Sequence, residues 1–403
     1  MKHLNLGPDQ PAQVMGVINL SPESFYQGSY VPEDSVLEIA HQMVQDGAQI
    51  LDIGARSTAP GVMPISKQEE RERLIPVLKQ VMGNVDCAIS IDTMFSDIAE
   101  EALNLGADII NDISGLHVDE RMVPVVAGSG CHVVLMASEK RPGDVIGMNA
   151  VLQALERIIT FAESHGIDPT KIIVDPGVGR WIPEKVPLYD LELIDQFERL
   201  QIFGKPILAA VSRKSFIGAI LKEPPENRLF GSLAATALAV YKGAKIIRTH
   251  DIKETRDVMR VAEALKPKRA ASQRDDTQVE IIDVISPEDA VYCMRAIGTT
   301  EAGARIMKNK SVLKAIRISN LTTTEALIIK QEMLSKGGDA ALPRDAISHE
   351  REKVDLIIFG TIVQIKRLID KLQYQARTLP VIADLLRETL AKDHDLAYKY
   401  TVV

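Results

Sequence analysis

Short apolar runs recur along the first two thirds of the chain, and each breaks off at polar residues. They lie near residues 13–18, 49–53, 87–91, 107–110, 131–135, 171–174, 206–211 and 244–247. Runs this short, without alternation, read as strands buried on both faces, as in a parallel sheet. Between most of them the apolar positions repeat at helical spacing. In Glu33 to Asp46, Val36, Ile39, Ala40, Met43 and Val44 share one face, which predicts an amphipathic helix. Ser96 to Leu105, Gly147 to His165, Arg228 to Lys242 and Lys253 to Leu265 read the same way. Gly47, Gly106 and Gly243 each end a helix and open the same phrase, Gly-Ala-x-Ile followed by Leu or Ile, which leads into a strand. Eight such units in about 250 residues predict a TIM (β/α)8 barrel. A doubly wound open sheet is the runner-up and usually carries a glycine-rich first turn. No GxGxxG follows the first strand and no GxxxxGK[ST] occurs anywhere.

The pattern changes after residue 265. Lys266 to Thr277 is charged and aperiodic and reads as a linker. A second, smaller α/β domain is expected over residues 279–403, with strands at Val279 to Ile285, Lys314 to Ile318 and Val354 to Phe359. Ser286-Pro287-Glu288-Asp289 has the chemistry of a helix start. Thr324 to Lys336 reads as helix, and the chain is mostly helical from Phe359 to about Lys392. This domain gathers no comparable set of polar strand exits, so docking or oligomerisation is its expected role. Its most conspicuous polar group, Arg344-Asp345 with His349 and Glu350, reads as surface. The catalytic domain is therefore expected in residues 1–268.

In a barrel all strand exits converge on one face. Here they are Asn19, Asp52 with Arg56, Asp92, Asn111 with Asp112, Met136, Asp175, Ser212-Arg213-Lys214, and Arg248 with His250. Acids, amides and cations in one pocket suit a polar heterocycle joined to an anion. Asp92 and Asp175 match a ring N–H and its neighbouring amino group, and Asn111 adds an amide. Arg248 forks readily onto phosphate, with His250 two residues further along the same exit. Asn19 suits a phosphate-borne Mg²⁺, which takes few protein oxygens.

Composition removes several function classes. Net charge is −8 over 403 residues, the wrong sign for a general nucleic-acid binder. Cys87, Cys131 and Cys293 are far apart in sequence, so neither a disulfide framework nor a zinc site is indicated. The N-terminus has no signal-peptide pattern, and no run approaches 18 apolar residues. A cytoplasmic protein without nucleic-acid or membrane partners is expected.

These segments resemble the dihydropteroate synthase family of pterin-binding TIM barrels. The likeness rests on MGVINLSPESF (15–25), DIGARSTAPG (52–61), ISIDT (89–93), ADIINDISGL (107–116), IIVDPGVG (172–179), VSRKSFIG (211–218) and GSLAATALAVYKGAKIIRTHD (231–251). The pairing of VSRKSFIG with IIRTHD is the specific part. The resemblance implies a transferase that joins 6-hydroxymethyl-7,8-dihydropterin diphosphate to an arylamine and releases pyrophosphate. It implies that Asp92, Asn111, Asp175 and Lys214 hold the pterin. Asn19, Arg248 and His250 would hold the diphosphate with Mg²⁺. Thr58 and Ser212 would stand near the substrates, Ser212 beside the amine. Lys214, Arg248 and His250 would be catalytic, and the protein would be a homodimer.

Three departures bear on the amine. The family's ESTRPG reads Arg56-Ser57-Thr58-Ala59-Pro60-Gly61, its LMHMQG segment is replaced by Leu135-Met136-Ala137-Ser138, and its phenylalanine-glycine-lysine after DPGVG is replaced by Arg180-Trp181. The amine is therefore left open between p-aminobenzoate and the 4-(β-D-ribofuranosyl)aminobenzene 5'-phosphate of tetrahydromethanopterin synthesis. Arg56 and Arg180 would suit the phosphate of the second. The alternatives are a pterin-dependent methyltransferase, which has no need of the cations at exits seven and eight, and a non-catalytic pterin-binding protein. A Schiff-base aldolase using Lys214 is weaker still. The C-terminal domain looks like an extension found on some such synthases.

Overall fold

The computed structural model describes residues 4–7, 10–23, 30–56, 62–266, 271–274, 277–280, 282, 284–346, 352–393 and 399–400. They fall into two units, Met1–Lys268 with Tyr400–Val403, and Arg269–Lys399. The first is the expected barrel. Its strands are β1 (Gln13–Asn19), β2 (Ile50–Gly54), β3 (Ala88–Asp92), β4 (Ile109–Asp112), β5 (His132–Met136), β6 (Ile172–Asp175), β7 (Leu208–Ala209) and β8 (Ile246–Thr249). All pairings are parallel, in the order β6-β5-β4-β3-β2-β1-β8-β7. The Val174 N–H donates to the Pro206 carbonyl at 3.0 Å, which closes the ring between β6 and the approach to β7. β7 is shorter than its apolar run implies. Pro206, at the start of that run, has no N–H to give a ladder.

Strand alternation sorts the barrel interior into levels. Met15, Ile50, Ala88, Ile109, Val134, Ile173, Leu208 and Ile246 make an apolar floor, sealed from below by Leu4 and Leu6. Two residues further along, the inward positions are Val17, Asp52, Ser90, Asn111, Met136, Asp175, Ala210 and Arg248. The outward phase packs against helices. A Cβ on Gly16 would lie 3.0 Å from Ile252 Cδ1 and 3.1 Å from Met43 Sδ, so glycine there lets two helices close on β1.

The five predicted barrel helices are present, the first as a short 3-10 turn, Glu33–Ser35, running into Val36–Asp46. Four further helices, Lys67–Val81, Met122–Ser129, Pro187–Asp195 and Ser215–Leu221, were not predicted from periodicity. Lys67–Val81 begins with seven residues that are all charged or amide and contains Pro76, which reads as a breaker. The helix forms because Ser66 caps it, accepting from the Glu69 N–H, and because Leu74, Val77, Leu78 and Val81 are buried.

The second unit has its own core. A three-stranded antiparallel sheet runs in the order Leu313–Thr322, Lys353–Thr361, Asp339–Ala341. Helices Thr323–Ser335, Ile362–Leu372 and Leu379–Lys392 supply Ile329, Met333, Ile365, Leu368, Leu379 and Leu386 to its buried cluster. Thr322 and Thr361 end strands and open helices with reciprocal capping boxes, as Ser286 does for Pro287–Ala296. The expected linker needs correction. Ala271–Arg274 and Thr277–Glu280 pair antiparallel, and the strand expected through Ile285 stops at Glu280. A two-stranded ribbon of mostly polar residues, ASQR and TQVE, carries no periodic apolar signal. His349 and Glu350 lie outside the described residues. Among the described residues no helix is long and apolar enough to cross a membrane.

Candidate active site

Arg248 stands at the centre of the second level. Its Nε donates to Asp52 Oδ2 at 2.7 Å and its Nη2 to Asp92 Oδ2 at 3.0 Å. Asp52 is fully buried and also accepts from Ser90 Oγ at 2.6 Å and Asn111 Nδ2 at 3.1 Å. β2, β3, β4 and β8 thus contribute one network, because all five residues share the inward phase. Burial pushes the Asp92 carboxyl up to about 7, with Asp52 adding to the shift and Arg248 opposing it. Burial also raises Asp175, against a 2.7 Å bond from the Gly177 N–H and the charges of Lys214 and Arg248. Both carboxyls hold their protons more readily than an exposed acid does.

The seventh and eighth exits meet side chain to side chain. Ser212 Oγ lies 3.0 Å from His250 Nδ1. Burial, then the cations Arg248, Arg213 and Lys214, push His250 down to about 3. His250 therefore works as a neutral hydrogen-bonding ring. Arg213 is a brace. Its backbone is left-handed at φ 56°, its Nε and Nη2 bind Asp251 at 3.0 and 2.6 Å, and its Nη1 bonds the Pro225 and Glu226 carbonyls at 2.9 and 2.8 Å. Lys214 is the cation of that stretch beside Asp175. Burial and Arg248 pull its ammonium down to about 8, while Asp175 and Asp190 hold it up.

Asn19 ends β1, with its Oδ1 accepting from the Ser21 N–H at 3.0 Å. Among the described residues no group of three or more His, Cys, Asp or Glu side chains is arranged to hold a metal ion. Asn19 would therefore offer a magnesium ion one hard oxygen, with phosphate and water completing the shell. Thr58 lies outside the described residues.

Arg56 makes an ion pair that the sequence does not announce. Its Nε binds Glu70 Oε2 at 2.7 Å, and its guanidinium sits 5.0 Å from the Phe95 ring centroid. Glu70 is fully buried and also accepts from Thr93 Oγ1 at 2.6 Å. The Arg56 charge is thus offset at Nε by a buried carboxylate. Arg180 is exposed, with Nη2 3.5 Å from the Pro183 carbonyl.

Sequence reasoning gave Asp52 no role and missed Ser90, Glu70, Lys185 and Asp190. Asp52 and Ser90 were within reach, being in phase with Asn111 and Arg248. Glu70 lies on an unpredicted helix, Asp190 on another, and Lys185 in the loop before it.

A family model described as "Pterin binding enzyme" matches residues 15–250, which lie within the barrel. The dihydropteroate synthase of Synechocystis is 37% identical over 263 residues, 62% of this chain and 89% of that protein. That of Bacillus subtilis is 37% identical over 255 residues, 62% and 88%. Among solved structures, the Coxiella burnetii dihydropteroate synthase in complex with pteroic acid matches with a TM-score of 0.59 and 38% identity, over 64% of this chain and 94% of that one. The Xanthomonas albilineans enzyme with 4-aminobenzoic acid matches with a TM-score of 0.59 and 34% identity, over 65% and 94%.

The His250 environment makes a direct prediction. Imidazole ¹⁵N shifts should report a neutral His250 from pH 8 down to pH 5. A transition near the ordinary histidine value would contradict the burial. The same shift has a sign for stability. The unfolded chain takes this proton near pH 6.5 and the folded one only near pH 3, so this term favours unfolding progressively as pH falls between them.

Proposed function

Since the chain belongs to the pterin binding enzymes, and among them to the dihydropteroate synthases, we propose that it condenses 6-hydroxymethyl-7,8-dihydropterin diphosphate with p-aminobenzoate, releasing pyrophosphate, in folate synthesis. It is a transferase. The observation that carries the reading is the partly buried Arg248–Asp52–Asp92 cluster, with Asn111 bonded into it. In this reading Asp92, Asn111 and Asp175 receive the N–H and amino groups of the pterin, and Lys214 lies between pterin and amine. Arg248 and His250 face the diphosphate. Among the described residues Arg248 Nη1 makes no hydrogen bond, and it is the nitrogen left to meet a phosphate oxygen. Negative charge grows on the departing diphosphate, and these preformed donors stabilise it without reorganising. Magnesium, when bound at Asn19 and the diphosphate, adds further positive charge there. The amine then attacks the electron-poor methylene held beside it. No covalent bond to the protein is required.

p-Aminobenzoate is favoured over the ribosylated phosphate amine because Arg56 is neutralised by Glu70. The test is turnover of the pterin diphosphate with each amine in turn. p-Aminobenzoate should be the faster substrate, with one pyrophosphate released per product. Faster turnover of the ribosylated amine would overturn the choice. Absence of pyrophosphate release with every amine would favour the methyltransferase or the non-catalytic alternative. Lys214→Ala should lose roughly a hundredfold or more in kcat while its thermal midpoint stays near that of the unaltered protein, since a pocket lysine contributes little to packing. Unaltered turnover would remove Lys214 from the site.

We also propose that the protein is a homodimer. Phe230 is 81% exposed on helix Leu229–Tyr241, together with Leu238 and Tyr241. Val261 and Leu265 are exposed on the adjoining helix Ile252–Leu265. Apolar patches of this kind mark contact surfaces. Light scattering should give the mass of two chains, and Phe230→Glu should give one; a single-chain mass for the unaltered protein would refute the dimer.

A further inference from the structure

The loop after β6 buries a second lysine that the proposed reaction does not use. Lys185 is 1% exposed, and its Nζ donates to the Gly177 carbonyl at 2.6 Å. Trp181 Nε1 donates to the same carbonyl at 2.9 Å. Two residues on, the Gly179 N–H donates to Asp190 Oδ1 at 2.8 Å, and Asp190 is equally buried. The Gly177–Gly179 turn is thereby tied at one end to a buried cation and at the other to a buried anion.

That turn lies against Lys214. Gly179 has φ 120°, and a Cβ there would stand 3.0 Å from Lys214 Cδ and 3.1 Å from its Nζ. The Lys214 ammonium is also 5.1 Å from the centroid of the Trp181 ring. Trp181 is itself seated against Gly143, where a Cβ would come within 2.1 Å of the indole Cγ. Lys214 therefore lies in a cleft with bare backbone on one side and an indole face on the other. Buried charges without a purpose are costly to keep.

We propose that Lys185 and Asp190 are positioning residues for Lys214: they fix both ends of the Gly177–Gly179 turn, hold the cleft open at the width of one lysine, and balance the charge around it. The inference takes from the proposed reaction only that Lys214 belongs to the site. The groups facing Lys214 are Arg248 from β8, Asp175 from β6, Asp190 from helix Pro187–Asp195 and Lys185 from the loop, with His250 also within its field. Asp190 favours the charged ammonium and Lys185 opposes it.

Trp181 is the single tryptophan in the chain, so the full-length protein reports on Lys214 without substrate. Its emission should titrate with a midpoint near pH 8, and the transition should vanish in Lys214→Met. Asp190→Asn should lower the midpoint by about one unit, and Lys185→Met should raise it by a similar amount. Unmoved midpoints in both folded variants would overturn the assignment, as would an emission that does not titrate in the unaltered protein. Should a single variant fail to fold, Lys185→Met/Asp190→Asn leaves no unpaired charge. It is expected to fold and to lose most of the amplitude of the transition, and a full amplitude at the original midpoint would refute the proposal. None of these readings requires turnover, so they stand or fall apart from the choice of amine.

Discussion

One guanidinium held between two carboxylates is what the barrel interior is arranged around. Asp52 is fully buried and Asp92 is nearly at its neutral point, so neither would be stable at this depth without a cation. Arg248 supplies it from β8, which only β1 separates from β2, and Ser90 and Asn111 complete the hydrogen bonding of Asp52. Below this level the interior is apolar, and charge begins two residues higher on the strands. The floor keeps water away from the cluster, and its low dielectric makes each added or removed charge count for more.

The charges around the pocket divide into those held for a ligand and those held for the protein. Arg213 and Arg56 belong to the second group, each tied to a carboxylate of its own, Asp251 and Glu70. Lys214, Arg248 and the acids Asp92 and Asp175 face one another across the interior with imperfect compensation. Displaced protonation equilibria of this kind are enriched at functional sites. His250, surrounded by cations, stays neutral and contributes direction more than charge.

Much of this was legible in residue order. The eight strands show as apolar runs, and period two along Ile50-Leu51-Asp52 or Ile246-Ile247-Arg248 tells which residues share the inward phase. The family likeness adds roles for Asp92, Asn111, Asp175, Lys214 and His250. Helix Lys67–Val81 was hidden because its first two turns are charged or amide throughout and its proline mimics a stop. With it went Glu70, and so the partner that changes the meaning of Arg56.

Sequence by itself determined the strands, their exits and the chemical types gathered at one end of the barrel, because these follow from local periodicity and chain order. Tertiary structure alone decided which charge meets which. Arg248 is 196 residues from Asp52 and Arg213 is 38 from Asp251. Whether a cation is offered to a ligand or closed off by a neighbour depends on distances of a few ångströms between segments remote in sequence. Coulomb energies at low dielectric turn on those distances, and no local pattern encodes them.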